Sequence, residues 1–381
     1  MDKRKQKSIS FRVLKDKLKP ALAFGARTVL SAAGSVFCIY VLISLAKNGS
    51  PIFYYAAALS SPNALLESVY AEDITFPGEP LFLHEQSDSG EISALESESE
   101  EIGAQPEKEV PEVPLERRGT VKEVTYSATA GKIHIPYGSA LIKNCTKLGN
   151  EKVLAMLEKK CDIKLRADMG DTPQVLVYHT HATEGFEPLD RGYFDLEETW
   201  RSTDLSENMA AVGEAFCSVL TEKGIGVIHD VTLHDDPSYN GSYKRSAVTI
   251  KKHLEENPGI KVCLDLHRDA IEPDSETIMK PTVLIDGKKA AQIMIISGCD
   301  DGTMNMPDYA ENLRFAAAIA EQAEEMYPGL CRPVLFDYRK YNMDLSPGLL
   351  LIEIGATGNT LEEARYSAAL LAEVLSALLI E

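Results

Sequence analysis

The segment HTHATEGF sets His179, His181 and Glu184 directly after the apolar run QVLVY. His181 and Glu184 form a His-x-x-Glu spacing, short enough for an imidazole and a carboxylate to turn onto one ion from a tight loop after a strand. A second imidazole, His267, follows the apolar run KVCLDL and is succeeded by Arg268 and Asp269. Two imidazoles and one carboxylate, with the fourth position left to water, are the ligand set of catalytic zinc, which lowers the pKa of that water and polarises a carbonyl. Such a site also needs a carboxylate to carry protons. Glu353 meets the need: it interrupts the otherwise apolar LLLIEIG, where an unpartnered carboxylate is costly unless a site employs it.

Each candidate has a rival. Glu207 competes with Glu184 as the carboxylate ligand. Alternation along an extended chain carries His179 to the side of His181, where it contacts substrate, supports the metal shell or ligates. His267 is alternatively a structural histidine paired with Asp265 or Asp269, and His229 and His234 in VIHDVTLHDD have acidic neighbours suited to the same role. The stretch DDPSYNGSYKRS brings Tyr239, Asn240, Tyr243, Lys244 and Arg245 to a loop and helix start. Tyr243, Arg245 and Arg268 are candidates for holding sugars or peptide carboxylates; the competing account is a solvated loop. Gly224-Ile225-Gly226 is no dinucleotide fingerprint, because no glycine-rich turn opens a helix there.

These residues must be positioned by regular elements. QVLVY (174–178) reads as a buried strand, and a helix is expected over Leu205–Lys223, stopped by Gly224. A strand at GVIH, a helix over Tyr243–Glu256, the strand KVCLDL, strands at 282–286 and 292–297, a helix over Asp308–Met326, the strand LLLIEIG and a last helix with Ala364, Ala368, Leu371, Leu375 and Leu378 on one face follow in order. Strands alternating with helices indicate an α/β fold: a mainly parallel sheet covered by helices on both faces. In such sheets the working residues lie beyond the carboxyl ends of the strands, where His181, His267 and Glu353 all fall.

Upstream, the chain changes character. Residues 1–27 hold nine basic side chains against Asp2 and Asp16. Residues 28–46, TVLSAAGSVFCIYVLISLA, are nineteen without a charge, the length a helix needs to cross a bilayer, and the positive flank is expected to stay cytoplasmic. A cleaved signal is the alternative; either reading puts the remainder outside the cytoplasm. Residues 47–118 read as an acidic tether, since EQSDSGEISALESESEEIGAQPEKEVPEVPLE has no aromatic and too little apolar surface to fold. A small lead-in (119–170) with β-like alternation precedes the catalytic domain (171–381). The net charge of -19 argues against a general nucleic-acid binder. Seven cysteines without a C-x-x-C pair indicate neither a zinc ribbon nor a redox motif, and no disulfide is assigned.

Five segments in one order, YHTHATEGF, HDDPSYNGSYKRS, LDLHRDA, YPGL and SPGLLLIEIGATGNTLEEA, resemble the stage II sporulation protein P family of endospore-forming bacteria. The resemblance implies a zinc-dependent N-acetylmuramoyl-L-alanine amidase, similar in fold to cell-wall amidases and more remotely to zinc carboxypeptidases, with an additional endopeptidase activity on cross-links. It implies His181 and His267 as metal ligands and Glu353 as the catalytic glutamate, with Glu184 less firmly matched because related amidases draw their acidic ligand from later in the chain. It implies work alongside stage II sporulation proteins D and M, thinning septal peptidoglycan for forespore engulfment from a single-pass anchor. Asn342-Met343-Asp344 departs from the family pattern, in which Gln is expected at the centre. Two other classes share much of this pattern: a zinc peptidase acting on stem-peptide cross-links, and a non-catalytic wall-binding or scaffolding module.

Overall fold

The structure, a computed structural model, describes residues 112–380. The expected membrane span, the basic tail and nearly all of the acidic tether lie outside the described residues. Among the described residues no helix is long and apolar enough to cross a membrane, and Cys145, Cys161, Cys217, Cys263, Cys299 and Cys331 are all free.

Twelve strands are described: β1 (Arg118–Val124), β2 (His134–Tyr137), β3 (Ala140–Asn144), β4 (Pro173–Tyr178), β5 (Tyr193–Asp195), β6 (Gly226–His229), β7 (Val262–Asp269), β8 (Thr277–Ile285), β9 (Lys288–Ala291), β10 (Ile293–Gly298), β11 (Val334–Asp337) and β12 (Leu349–Ala356). Five helices accompany them: α1 (Asn150–Leu157), α2 (Met209–Glu222), α3 (Ser242–Glu256), α4 (Tyr309–Met326) and α5 (Leu361–Leu379). The main sheet runs β2-β3-β11-β10-β12-β7-β4-β6, and a second, four-stranded sheet runs β5-β1-β8-β9.

The main sheet is mixed. β4, β6, β7 and β12 form one parallel block and β3, β10 and β11 another, and the two meet where β10 runs antiparallel to β12. The cause is the link from β11 to β12, which holds only a short 3-10 turn at Met343–Leu345. A parallel return needs a longer crossover, generally a helix, so the chain reverses instead. The lead-in is built into both sheets: β1 pairs in parallel with β8, and β3 with β11. The expected strand at 282–286 begins earlier and belongs to the second sheet.

Period-two alternation assigns the faces of the main sheet. Val175 and Val177, Leu264 and Leu266, and Leu350, Ile352 and Ile354 pack beneath α2, α4 and α5. Leu176 and Tyr178, Cys263, and Leu349 and Leu351 face the other way, against Ile250 of α3 and Met343. Asp265 and His267 continue the Cys263 register of β7 and Glu353 continues that of Leu351, so all three lie on the α3 face. α2 begins at Met209 rather than Leu205 because Asn208 caps it, its side chain accepting from Ala210 N at 2.9 Å.

Candidate active site

Parallel pairing of β7 with β12 sets His267 beside Glu353, and pairing of β4 with β7 sets Tyr178 beside Asp265. Two strands thus deliver an acid, an imidazole and a second acid to one place: Asp265 and His267 on β7 and Glu353 on β12. β12 ends just past Glu353 in a register shift. Gly355 makes it at φ +70°, where a Cβ would meet Ala291 and the Asn359 side chain at 2.8 Å. From β4 the chain turns through residues 180–183 and brings His181 over the sheet.

The His181 and His267 rings meet edge to face, centroids 5.2 Å apart at 82°. Tyr239 stacks on His181 at 4.2 Å, and Tyr243 approaches it edge-on at 5.5 Å. Glu184 Oε2 lies 3.5 Å from His267 Nδ1 and accepts from the Arg268 backbone N–H at 3.3 Å. On the other side of the ring, Asp265 Oδ1 is 2.8 Å from Nε2, close in distance but without the alignment of a hydrogen bond. Asp265 is fully buried and fixed by Thr180, whose backbone N–H and Oγ1 donate to it at 2.8 and 2.7 Å.

Electrostatically the site recruits positive charge. Burial alone would lower the pKa of His267, but Asp265 and Glu184 outweigh it and push the imidazole well above its ordinary value. Burial raises Glu184, yet His267 and Arg268 bring it down to about 2. Burial lowers His181 to about 4, aided by the neighbouring His267. Glu353 is carried by burial to about 8, against the pull of His267. His181 Nδ1, His267 Nε2 and Glu353 Oε2 are buried without a hydrogen-bond partner, an arrangement whose cost calls for a ligand.

Among the described residues no group of three or more His, Cys, Asp or Glu side chains is gathered as a formed metal centre. The donor types present nevertheless suit zinc: an imidazole with an orphaned nitrogen, His181 Nδ1, and a second imidazole, His267, whose Nδ1 has the Glu184 carboxylate beside it. His181, His267 and Glu184 are the residues that would hold it.

Other expected residues are placed elsewhere. His179 does not follow His181, because β4 ends at Tyr178 and the turn breaks the alternation. It is fully buried, its Nδ1 2.9 Å from Leu266 O and its Nε2 3.0 Å from His229 Nε2, so it touches neither substrate nor ion. Gly213 makes room for this pair, since a Cβ there would stand 2.4 Å from His229 Nε2 and 2.6 Å from His179 Nε2. Arg245 is spent on its own loop: Nε donates to His234 O at 2.6 Å, Nη1 to Asn240 O at 3.2 Å, and Nη2 to Ser238 O. Arg268 is a buried clamp, donating to Gly185 O and Thr357 Oγ1 at 2.6 Å each. Glu207 accepts from the Ser202 hydroxyl at 3.1 Å. His234 is satisfied between His179 O at 2.8 Å and Thr249 Oγ1 at 2.9 Å. Asn342 donates to Tyr243 O and Ser246 Oγ at 3.0 and 3.1 Å, holding the start of α3.

Asp265, Asp235 and Arg201 are the site's unforeseen members. Asp265 was visible only as an alternative partner for His267, although the i, i+2 spacing already placed the two on one face. Asp235 and Arg201 lie in loops without periodicity; Asp235 falls inside the segment HDDPSYNGSYKRS without being marked as a site residue, and nothing in the sequence singles out Arg201.

A protein-family model described as Stage II sporulation protein P matches residues 83–376. Stage II sporulation protein P of Bacillus subtilis (strain 168) is 31% identical over 218 residues, covering 54% of this chain and 51% of that protein. The chain thus spans about half the length of the curated relative it matches. Among solved structures, the N-acetylmuramyl-L-alanine amidase Ami1 of Mycobacterium smegmatis aligns over 54% of this chain and 97% of its own, with 12% identity and a TM-score of 0.34. The CwlD amidase of Clostridioides difficile, solved in complex with the GerS lipoprotein, aligns over 54% of this chain and 99% of its own, with 10% identity and a TM-score of 0.31.

Proposed function

The chain belongs to the stage II sporulation protein P family, and on that premise we propose that it is a zinc-dependent peptidoglycan hydrolase cleaving the amide between the lactyl group of N-acetylmuramic acid and L-alanine. The observation that carries this reading is the adjacency of His181, Glu184 and Glu353 to His267, with His181 Nδ1 and Glu353 Oε2 buried without hydrogen-bond partners. His181, His267 and Glu184 would hold zinc, which when bound supplies Lewis acidity and a more acidic water.

Glu353 moves the proton. Its carboxylate, raised to about 8 by burial, titrates close to neutrality, where a group both accepts and returns a proton efficiently. It takes the proton of the attacking water and delivers it to the departing alanine nitrogen. Tyr239 and Tyr243 wall the reacting centre at His181. Asp265 holds His267 in orientation. Arg268 takes no part in stabilising the oxyanion, because Nε and Nη1 are committed to Gly185 and Thr357.

The proposal extends to residues 28–46 as a single-pass anchor, with the folded unit facing the murein outside the cytoplasm. It extends also to stage II sporulation proteins D and M as partners in septal thinning and engulfment, and to an endopeptidase activity on cross-links; family resemblance supports these.

The test is digestion of purified peptidoglycan by the full chain, with zinc content measured in parallel. Free stem peptides identified by mass mark the amidase, and uncross-linked muropeptides the peptidase. Glu353→Gln is expected to retain zinc and fold while slowing release by about 100- to 10,000-fold. Native-rate release by that variant removes Glu353 from the mechanism, and a chain with neither zinc nor chelator-sensitive cleavage is a wall-binding module instead.

A further inference from the structure

A cavity of about 250 Å³ opens beside His181, lined in part by Thr183, Arg201, Ser202, Asp235, Asp236 and Tyr239. Its backbone is tied to the proposed ligands: the chain at Arg201 pairs antiparallel with Glu184, Gly185 N donates to Trp200 O at 2.7 Å, and Ser202 N to Thr183 O at 2.9 Å. Tyr239 joins the cavity to the reacting centre, its ring 4.2 Å from that of His181 and 5.0 Å from the Arg201 guanidinium carbon.

The charges in this cavity are unequally available. The Asp235 side chain is fully buried and already accepts three hydrogen bonds, from Thr183 N at 3.2 Å, Thr183 Oγ1 at 2.7 Å and Arg201 Nη1 at 2.9 Å. Fully buried, it is not presented to an incoming amine. Among the described residues Arg201 makes its side-chain hydrogen bonds through Nη1 alone, to Asp235 and to Thr183 Oγ1 at 2.9 Å, and 39% of its side chain is exposed. Nε and Nη2 remain as a planar pair of donors, the geometry that matches a carboxylate. Asp236 is exposed, so solvent screens its charge.

We propose that Arg201, braced by Asp235 and Tyr239, is a specificity-determining residue whose cavity receives a carboxylate of the substrate peptide close to the scissile amide. This rests on the hydrolase reading for the identity of the substrate: in a murein stem, L-alanine is followed by D-glutamate joined through its side chain, which leaves an α-carboxylate free one residue beyond the cleaved bond. An extended residue spans about 3.3–3.6 Å, so a few residues of a peptide reach across the Tyr239 ring from His181 to Arg201. The subsite therefore recognises the acidic form of the stem and disfavours its carboxamide, which offers a donor where Arg201 presents donors.

The test is calorimetric titration of the full chain with L-alanyl-D-isoglutamate and with its α-amide. The wild-type chain is expected to bind the acid about tenfold or more tightly than the amide, the range for a hydrogen bond to a charged group. Arg201→Met abolishes that preference by weakening the acid alone, and Arg201→Lys, which keeps the charge but not the planar fork, reduces it. Equal binding of both probes by the wild type, absence of binding included, overturns the proposal, as does an undiminished preference in Arg201→Met. Should that variant not fold, an undiminished preference in Arg201→Lys overturns it equally. If the preference depends on Arg201 but no stem peptide is released from peptidoglycan, the subsite stands and the hydrolase reading falls. If stem peptides are released without any preference, the reverse holds.

Discussion

His179 and His181 are two residues apart, and each meets a second histidine edge to face at almost the same separation: 5.3 Å and 80° with His229, 5.2 Å and 82° with His267. Their surroundings make them opposites. A carbonyl only accepts, so His179 Nδ1 carries the proton it gives to Leu266 O, and Nε2 accepts from His229. Burial and the neighbouring His229 push His179 down to about 3, and burial lowers His229 as well. Around the other pair, Asp265 and Glu184 reverse the effect of burial and drive His267 upward. His179 and His181 are both lowered by burial, but the first pair rejects positive charge on both rings with both nitrogens of His179 in use, whereas the second concentrates it on His267 and leaves His181 Nδ1 unsatisfied. Ring geometry does not separate a site from a core contact here, whereas the acids around the rings do.

The sharpest way to break this comparison is to remove one histidine from each pair. His267→Ala is expected to lose zinc and to lower stem-peptide release on the order of a thousandfold, the several kcal/mol that a metal contributes. His229→Ala is expected to keep zinc and native release. Metal analysis and the digestion assay read both, and equal losses would erase the distinction. A finer cut is Asp265→Asn, which leaves the rings in place and removes the charge that orients His267. Loss of such an outer partner weakens zinc binding by about 10- to 100-fold. Competition with a chromophoric chelator measures it, and unchanged affinity would show that Asp265 merely fills the core with Thr180.

The sequence made the strands legible where apolar runs are short and bounded, as in QVLVY and LLLIEIG, and their ends carried the imidazole and carboxylate chemistry into view. His181 lies against His267 and His267 beside Glu353; their roles as ligands and proton carrier remain the proposal. The direction of β10 was not legible, because it depends on a reversal between β11 and β12 rather than on local pattern. Pairing of β1 with β8 was equally hidden, since it joins segments far apart along the chain. His179 was misplaced by carrying strand alternation one residue beyond the strand. Arg201 had no signal of its own; only the backbone pairing with Glu184 brings it to the site.

The two pairs also differ in how protons couple to folding, an effect absent at neutral pH that gives the most direct reading of the core pair. His179 has a folded pKa of about 3 against roughly 6.5 in an unfolded chain. Below that unfolded value the unfolded chain binds a proton that the folded chain refuses. Stability from this residue is therefore complete above pH 6.5 and is lost as pH falls towards 3, by at most about 1.4 kcal/mol per pH unit. His179→Gln retains an amide donor for Leu266 O but has nothing to titrate. Denaturant unfolding of both chains in chelator, which keeps metal release out of the comparison, should give a stability difference that is constant above pH 6.5 and moves in favour of the variant as the solution is acidified. The carboxylates titrate in both chains and cancel. A difference that stays flat down to pH 4 would mean that His179 takes up its proton in the fold, and then the acids around His267 would no longer be what distinguishes the two pairs.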